Sequence, residues 1–159
     1  MLTVKILCIG KLKERYWREA CEEYQKRLEG FCRFAIVELP ESRLPADPSA
    51  AQIAAALEQE GEKILAAAGE RSLFFPLCVE GAAWSSPELA EQIGQAAVAG
   101  CSTLCFIIGS SFGLSDRVKR KGKKVSLSNM TFPHQLARVM VCEQVYRAFQ
   151  ILQGGKYHK

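Results

Sequence analysis

The chain has 159 residues, of which 48% are hydrophobic and 24% charged, and its formal net charge is +4. This composition is ordinary for a globular protein, and the length suffices for a single domain, residues 1–159, with its own core. No apolar run reaches the roughly 18 residues of a membrane span. The first ten residues alternate too much for a signal peptide, so we expect a cytoplasmic protein with no membrane partner.

The first half of the chain alternates between strand and helix patterns. Thr3–Ile9 predicts a strand, and residues 13–29 carry apolar and aromatic side chains four apart, which predicts a helix. Residues 34–39 predict a second strand that ends at Pro40. A proline-rich loop follows, and residues 49–68 then predict an alanine-rich helix with an apolar stripe.

The second half continues this alternation. Its predicted strands are 73–79, 103–108 and a short strand at 125–127, and its predicted helices are 86–99, a short helix from Ser115 and a final helix at 133–152. The first two of these strands are continuous apolar runs, typical of strands that are buried on both faces. The whole order predicts an α/β fold, with a mostly parallel sheet and helices on both faces.

Three loops follow predicted strands at the edge of the sheet where ligands usually bind. They come after Val79, Ile108 and Leu127. The second loop, 109–113, has two glycines and two serines, which allows close backbone approach to a ligand but is also ordinary for a β–α turn. The GxGxxG and GxxxxGK[ST] patterns are absent, which disfavours ordinary dinucleotide and nucleoside-triphosphate binding.

A basic run and seven cysteines are the other compositional features. Residues 117–124 hold six basic side chains in eight positions, which suits a polyanionic partner, although a solvated loop is the alternative. The candidates for RNA contact are Lys119, Arg120, Lys121, Lys123, Lys124 and Lys159. The cysteines are scattered, odd in number and without a CxxC pair, so we expect buried hydrophobic residues and no metal site.

The end of the chain combines an apolar helix with a polar tail. The final helix is apolar on nearly all sides and needs a cover beyond its own sheet, which favours a symmetric homodimer. After a Gly pair, the tail carries Tyr157, His158 and Lys159, whose side chains donate, accept or hold protons. We therefore expect this tail to fold back over another part of the molecule.

Several stretches of the chain are similar to one known family from end to end. They are residues 4–14, 109–114, 127–135, 143–149 and 157–159. The Thr-Phe-Pro-His-Gln and Tyr-His-Lys elements, at their observed separation, are the most specific. On these residues the chain resembles the ribosomal large-subunit methyltransferase H family of 23S rRNA pseudouridine N3-methyltransferases, in the SPOUT class of S-adenosylmethionine enzymes.

The resemblance implies a fold, a methyl donor and partners. It implies an α/β domain whose C-terminal part forms a trefoil knot, S-adenosylmethionine as the donor, no metal, a homodimer, and the assembled ribosome with its 23S rRNA as substrate. The implied donor-binding residues are Leu77, Gly109, Leu127, Ser128, Asn129, Met130, Thr131 and Phe132. These residues belong to the three loops that the strand order selects independently.

The sequence departs from the family pattern at a few positions. Ser110 stands where relatives often have a second glycine, Cys78 and Val79 where they often have an acidic residue, and Phe112 where a small polar residue is common. The segment 117–124 is also more basic than usual. These departures leave the fold prediction unchanged and bear on donor binding.

The implied reaction requires N3 of the pseudouridine to lose its proton while the methyl group is transferred in line. His158 is the best candidate base because an imidazole titrates near neutral pH. Tyr157 would hydrogen-bond to the base or stack on it, and Arg138 would hold phosphate or stabilise negative charge. A tail that only closes the pocket is the alternative for these residues. For the protein, the alternative is a non-catalytic ribosome-binding or assembly protein on the same fold.

Overall fold

The computed structural model describes residues 1–159 as four strands and five helices. They are β1 (Thr3–Ile9), α1 (Arg15–Leu28), β2 (Arg33–Leu39), α2 (Ala50–Ala68), β3 (Ser72–Ala82), α3 (Ser86–Val98), β4 (Thr103–Ile108), α4 (Asp116–Lys119) and α5 (His134–Leu152). None of the helices combines the length and the apolar character that crossing a bilayer requires.

The four strands form one parallel sheet in the order β2-β1-β4-β3. Alternate residues of the central strand β1 point into different cores because a strand has a period of two. Val4, Ile6 and Cys8 belong to a core shared with α1, α3 and α5, whereas Leu7 and Ile9 belong to a second core with α2 and α4. The predicted α/β fold, with a parallel sheet and helices on both faces, is confirmed.

Of the predicted strand at 125–127, the structure retains a single extended residue, Val125. Val125 makes only isolated bridges, to Leu77 and to Ala82 of the same strand β3. The Ala82 amide donates to the carbonyl of Lys124 at 3.0 Å, and the Ser126 amide donates to the carbonyl of Ala82 at 2.9 Å. Because β3 bends around Val125 after it leaves the sheet, the two segments meet at single points and no regular ladder forms.

Glycines allow these two segments to approach closely. A Cβ on Gly81 would lie 2.6 Å from the backbone nitrogen of Val125, and a Cβ on Gly122 would overlap the carbonyl group of Phe74. Residues 122–126 thus pass directly against the backbone of β3, both within the sheet at Phe74 and beyond it at Gly81. A trefoil knot needs such a close crossing, and the knot itself stays a prediction.

The cysteines are free thiols distributed mainly in the core. Five of the seven are buried, in agreement with their predicted role as small hydrophobic residues, and Cys78 and Cys101 are partly exposed. Burial raises the pKa of Cys8 and that of Cys32 to about 12. These buried thiols are therefore protonated and unreactive at neutral pH.

Candidate active site

A cavity of about 570 Å³ opens at the edge of the sheet where the strands have their carboxyl ends. Its walls come from residues 77–79 of β3, just beyond the part of this strand that pairs with β4, from the turn after β4, and from the segment 125–134 that leads into α5. Ala137, one turn into α5, completes the lining. Ligands bind at this edge in parallel α/β sheets, so the fold places the three predicted loops around one site.

The structure brings most of the predicted donor-binding residues together. The ones that line this cavity are Leu77, Gly109, Leu127, Ser128, Met130, Thr131 and Phe132. Asn129 does not line it and is exposed. The reason is local, because the Met130 amide donates to Oγ of Ser128 at 3.0 Å and closes a turn with Asn129 at its tip.

The turn after β4 is shaped by its two glycines. A Cβ on Gly109 would overlap the carbonyl group of Gly113, so a larger residue would push the turn away. Gly113 has φ +87°, a left-handed conformation that favours glycine, and its amide donates to the carbonyl of Ser110 at 2.9 Å. The two glycines therefore fix the shape of the turn, which borders the cavity with Gly109, Ser110, Ser111 and Gly113.

Glu60 is a buried acid behind this turn that the sequence did not single out. It is 3% exposed, accepts a hydrogen bond from the Ser42 amide at 2.9 Å through Oε2, and has no partner at Oε1. Burial raises the pKa of Glu60, and the hydrogen bond from the Ser42 amide opposes the shift. The signal that could have found it is helical spacing, because Glu60 lies four residues from both Ala56 and Ile64 on the buried stripe of α2, whereas Glu58 and Glu62 are exposed.

A smaller cavity of about 310 Å³ adjoins the first one and shares four wall residues with it, Leu77, Val125, Ser126 and Leu127. Trp84 and Gln144 also line it, and sequence reasoning missed both. Oγ of Ser86 donates to Oε1 of Gln144 at 2.6 Å. The side-chain nitrogen Nε2 of Gln144 in turn donates to Oε2 of Glu143 at 2.7 Å. Gln144 thus links the lining of this cavity to Glu143.

The tail folds back onto α5, as the sequence predicts. The hydroxyl of Tyr157 donates to Oε1 of Glu143 at 3.0 Å, and the guanidinium of Arg147 lies 4.7 Å from the centre of the Tyr157 ring. Arg147 also donates to Nδ1 of His158 at 3.2 Å. Burial and the Glu143 carboxylate together raise the pKa of Tyr157 to about 12. Neither Tyr157 nor His158 lines either of the two cavities described above.

Arg138 lies apart from the tail and from both cavities. It is 3% exposed and donates to Oε2 of Glu38 at 2.7 Å and to the carbonyl of Gly10 at 3.2 Å. The same Glu38 oxygen accepts the amide of Leu12 at 2.9 Å. Arg138 thus joins α5 to the ends of β1 and β2. Its predicted part in the chemistry stays a prediction.

The basic segment is anchored at two of its side chains. Lys119 pairs with Glu80 at 2.8 Å, and Lys123 donates to Oε1 of Gln92 at 2.8 Å. The remaining predicted RNA-binding side chains are exposed and form no hydrogen bond or ion pair: Arg120, Lys121, Lys124 and Lys159. Free cationic groups therefore remain available beside the segment that borders the cavity.

Comparison with known proteins gives concordant results. A sequence model of the family described as "Predicted SPOUT methyltransferase" matches residues 2–158. The chain is 43% identical over 159 residues to a ribosomal RNA large subunit methyltransferase H of Streptococcus thermophilus CNRZ 1066, covering 99% of this chain and 100% of that protein. It is 42% identical, with the same coverage, to the protein of that name from Pediococcus pentosaceus.

A solved structure gives the same result for the fold alone. It is a "probable methylase family protein" from Haemophilus influenzae Rd KW20, with a TM-score of 0.58 and 15% sequence identity. The match covers 98% of this chain and 70% of that chain. At this identity the likeness concerns architecture and not the chemistry of the site.

Proposed function

The chain belongs to the SPOUT methyltransferase family, among the ribosomal RNA large subunit methyltransferase H proteins, and on that premise we propose that it methylates N3 of a pseudouridine in 23S rRNA. The methyl donor is S-adenosylmethionine, and the substrate is the assembled ribosome. The observation that best supports this proposal is the 570 Å³ cavity, which gathers the donor-binding residues expected from three separate loops.

The lining of the cavity fits this donor. Gly109 borders the cavity, and Leu77, Leu127 and Phe132 supply apolar contacts for an adenosine group. The turn closed by Ser128 holds the segment that precedes α5 in place. When bound, S-adenosylmethionine supplies an electrophilic methyl group on a sulfonium.

The tail residues have distinct acid–base properties. Tyr157, with a pKa of about 12, stays protonated at neutral pH, so it serves as a hydrogen-bond donor and not as the base. His158 is the proposed base. Because a guanidinium only donates hydrogen bonds, Nδ1 of His158 accepts from Arg147, and the neutral ring carries its proton on Nε2. His158 therefore has to release Arg147 before Nδ1 can take the proton from N3.

The position of the tail supports a homodimer with shared sites. Glu143, which accepts the hydrogen bond from Tyr157, lies six residues beyond Ala137 in α5. It is therefore about 9 Å along the helix axis from the lining of the donor cavity. On the outer side of α5, Leu136, Val139 and Met140 are only partly buried. Pairing of two chains through this side would cover the apolar residues and bring the tail of one protomer towards the donor cavity of its partner.

A complementation experiment tests the shared site. Two inactive variants, Gly109→Val in the donor cavity and His158→Ala in the tail, are mixed and allowed to exchange subunits. If the tail acts across the dimer, the mixed dimer contains one intact site and methylation returns. If mixing restores nothing while light scattering shows dimers, the tail acts within its own chain. Monomers in solution would contradict the proposed dimer.

The overall proposal is tested with S-adenosylmethionine carrying a tritiated methyl group. Assembled ribosomes should be labelled and free 23S rRNA labelled poorly, and His158→Ala should abolish labelling while donor binding by calorimetry is retained. Unchanged turnover in His158→Ala would remove this residue from the mechanism. Failure to bind the donor, even with ribosomes present, would favour an assembly protein that transfers no methyl group.

The basic segment is proposed to contact the rRNA phosphates. Substitution of Arg120, Lys121 and Lys124 by Gln should weaken ribosome binding and reduce the slope of log K against log salt. On duplex nucleic acid the reduction is up to about 0.9 for each phosphate that is no longer neutralised. An unchanged slope would place this segment away from the RNA. Substitution of Lys26 by Gln, on the exposed surface of α1, is the control.

A further inference from the structure

Exposed apolar side chains are concentrated at the donor cavity. Val79 and Met130 line it and are 58% and 72% exposed. Phe112, which is 46% exposed, belongs to the turn 110–113, whose other three residues line the same cavity. Three of the seven exposed large hydrophobic side chains of the protein are therefore at one site, and we call Val79, Phe112 and Met130 the apolar rim.

Hydrogen-bonded turns hold two members of this rim in their exposed positions. The Gly113 amide donates to the carbonyl of Ser110 at 2.9 Å, which closes a tight turn around Phe112. Met130 is fixed by its amide, which donates to Oγ of Ser128 at 3.0 Å. An ordered chain that exposes large apolar groups beside a cavity is typical of a binding surface.

The basic segment is attached to β3 next to Val79 of the apolar rim. Glu80, next to Val79, holds Nζ of Lys119 at 2.8 Å. At the other end of the basic segment, the carbonyl of Lys124 accepts the amide of Ala82 at 3.0 Å. Both ends of the segment 119–124 are thus attached to β3 within four residues of Val79, which places the basic segment next to the apolar rim.

We propose that the apolar rim stacks on unpaired rRNA bases that flank the target nucleotide, while the basic segment contacts their phosphates. Proteins that bind single-stranded RNA combine aromatic or apolar platforms for bases with Lys and Arg along the backbone. A second copy of this chain is a poorer occupant, because a symmetric contact through the rim would bring two basic segments together. The inference rests on the proposed function and names the part of the substrate that the rim touches.

The test compares Phe112→Ser, which removes the aromatic ring, with Phe112→Trp, which keeps one. Val98→Ser is the matched control: Val98 is 91% exposed and ends α3 at the opposite edge of the sheet from the cavity. We expect KM for ribosomes to rise about tenfold in Phe112→Ser, with the Kd for S-adenosylmethionine unchanged. Phe112→Trp should keep the wild-type KM because an indole also stacks on bases.

Three results would overturn the proposal. A Phe112→Ser variant with the same KM and ribosome affinity as Val98→Ser shows that the rim does not touch RNA. A weaker Kd for S-adenosylmethionine shows that the rim covers the donor, and a change in oligomeric state shows that it contacts a second copy. Ribosome affinity is measured by filter binding, which needs no turnover. Failure of methylation in the wild type would therefore refute the proposed function while the rim is still judged by binding.

Discussion

The buried ion pair between Arg138 and Glu38 gives a quantitative prediction that separates architecture from chemistry. The substitution Arg138→Met removes a guanidinium that is 3% exposed and donates to Glu38 at 2.7 Å and to Gly10 at 3.2 Å. Hydrogen bonds to charged groups contribute about 1.5–3 kcal/mol each, and breaking a fully buried pair costs about 3–5 kcal/mol.

Two features of this site lower the expected cost. The Glu38 side chain is 36% exposed, so its carboxylate remains partly hydrated after the substitution. Nε of Arg138 has no partner, and Met removes this unsatisfied donor. We therefore expect a loss of about 2–3 kcal/mol. For a domain of this size, that loss lowers Tm by roughly 5–10 °C.

Thermal unfolding and donor binding are measured on the same preparations. The control is Arg15→Met, which removes an exposed pair with Glu19 at 2.6 Å and should cost well under 1 kcal/mol. The double variant Arg138→Met with Glu38→Gln should recover part of the loss, because no unpaired carboxylate remains. A Tm within about 2 °C of the control, together with a large loss of methylation, would refute the architectural role and assign Arg138 to the reaction.

Three further predictions concern the tail, the β3 crossing and the thiols. Because the pKa of Tyr157 is raised from 10.0 to about 12, the folded state holds its proton more tightly, so its stabilising contribution is complete below pH 10 and is lost as pH rises towards 12. Glu143→Gln should lower this pKa in an ultraviolet titration, and an unchanged value would contradict the contact. Gly122→Ala should destabilise the fold by several kcal/mol in urea, because its Cβ overlaps backbone; a change below about 1 kcal/mol would contradict the packing. Cys78 and Cys101 should react first with a thiol reagent, and S-adenosylmethionine should protect only Cys78, which lines the cavity; equal protection of both would place the donor elsewhere.

Local sequence patterns predicted the layers of the protein because burial follows short-range periodicity. The apolar runs of β3 and β4 read directly as strands covered on both faces, and the order of elements fixed a parallel sheet. Parallel strands in turn place their following loops at one edge. For this reason the order of the strands alone predicts a ligand site near Gly109 and Leu127. These are the same residues that the family motifs imply for donor binding.

Contacts between distant segments depended on the tertiary structure. Val125 lies in a short segment that reads as a strand, yet β3 bends around it and leaves only single bridges. Arg138 is paired with Glu38, 100 residues earlier in the chain, and no periodic pattern specifies such a partner. Glu60 is buried although the nearby acidic residues Glu58 and Glu62 are exposed. A sequence records which side of an element is apolar, whereas the partner of each polar group is fixed only when separate elements pack together.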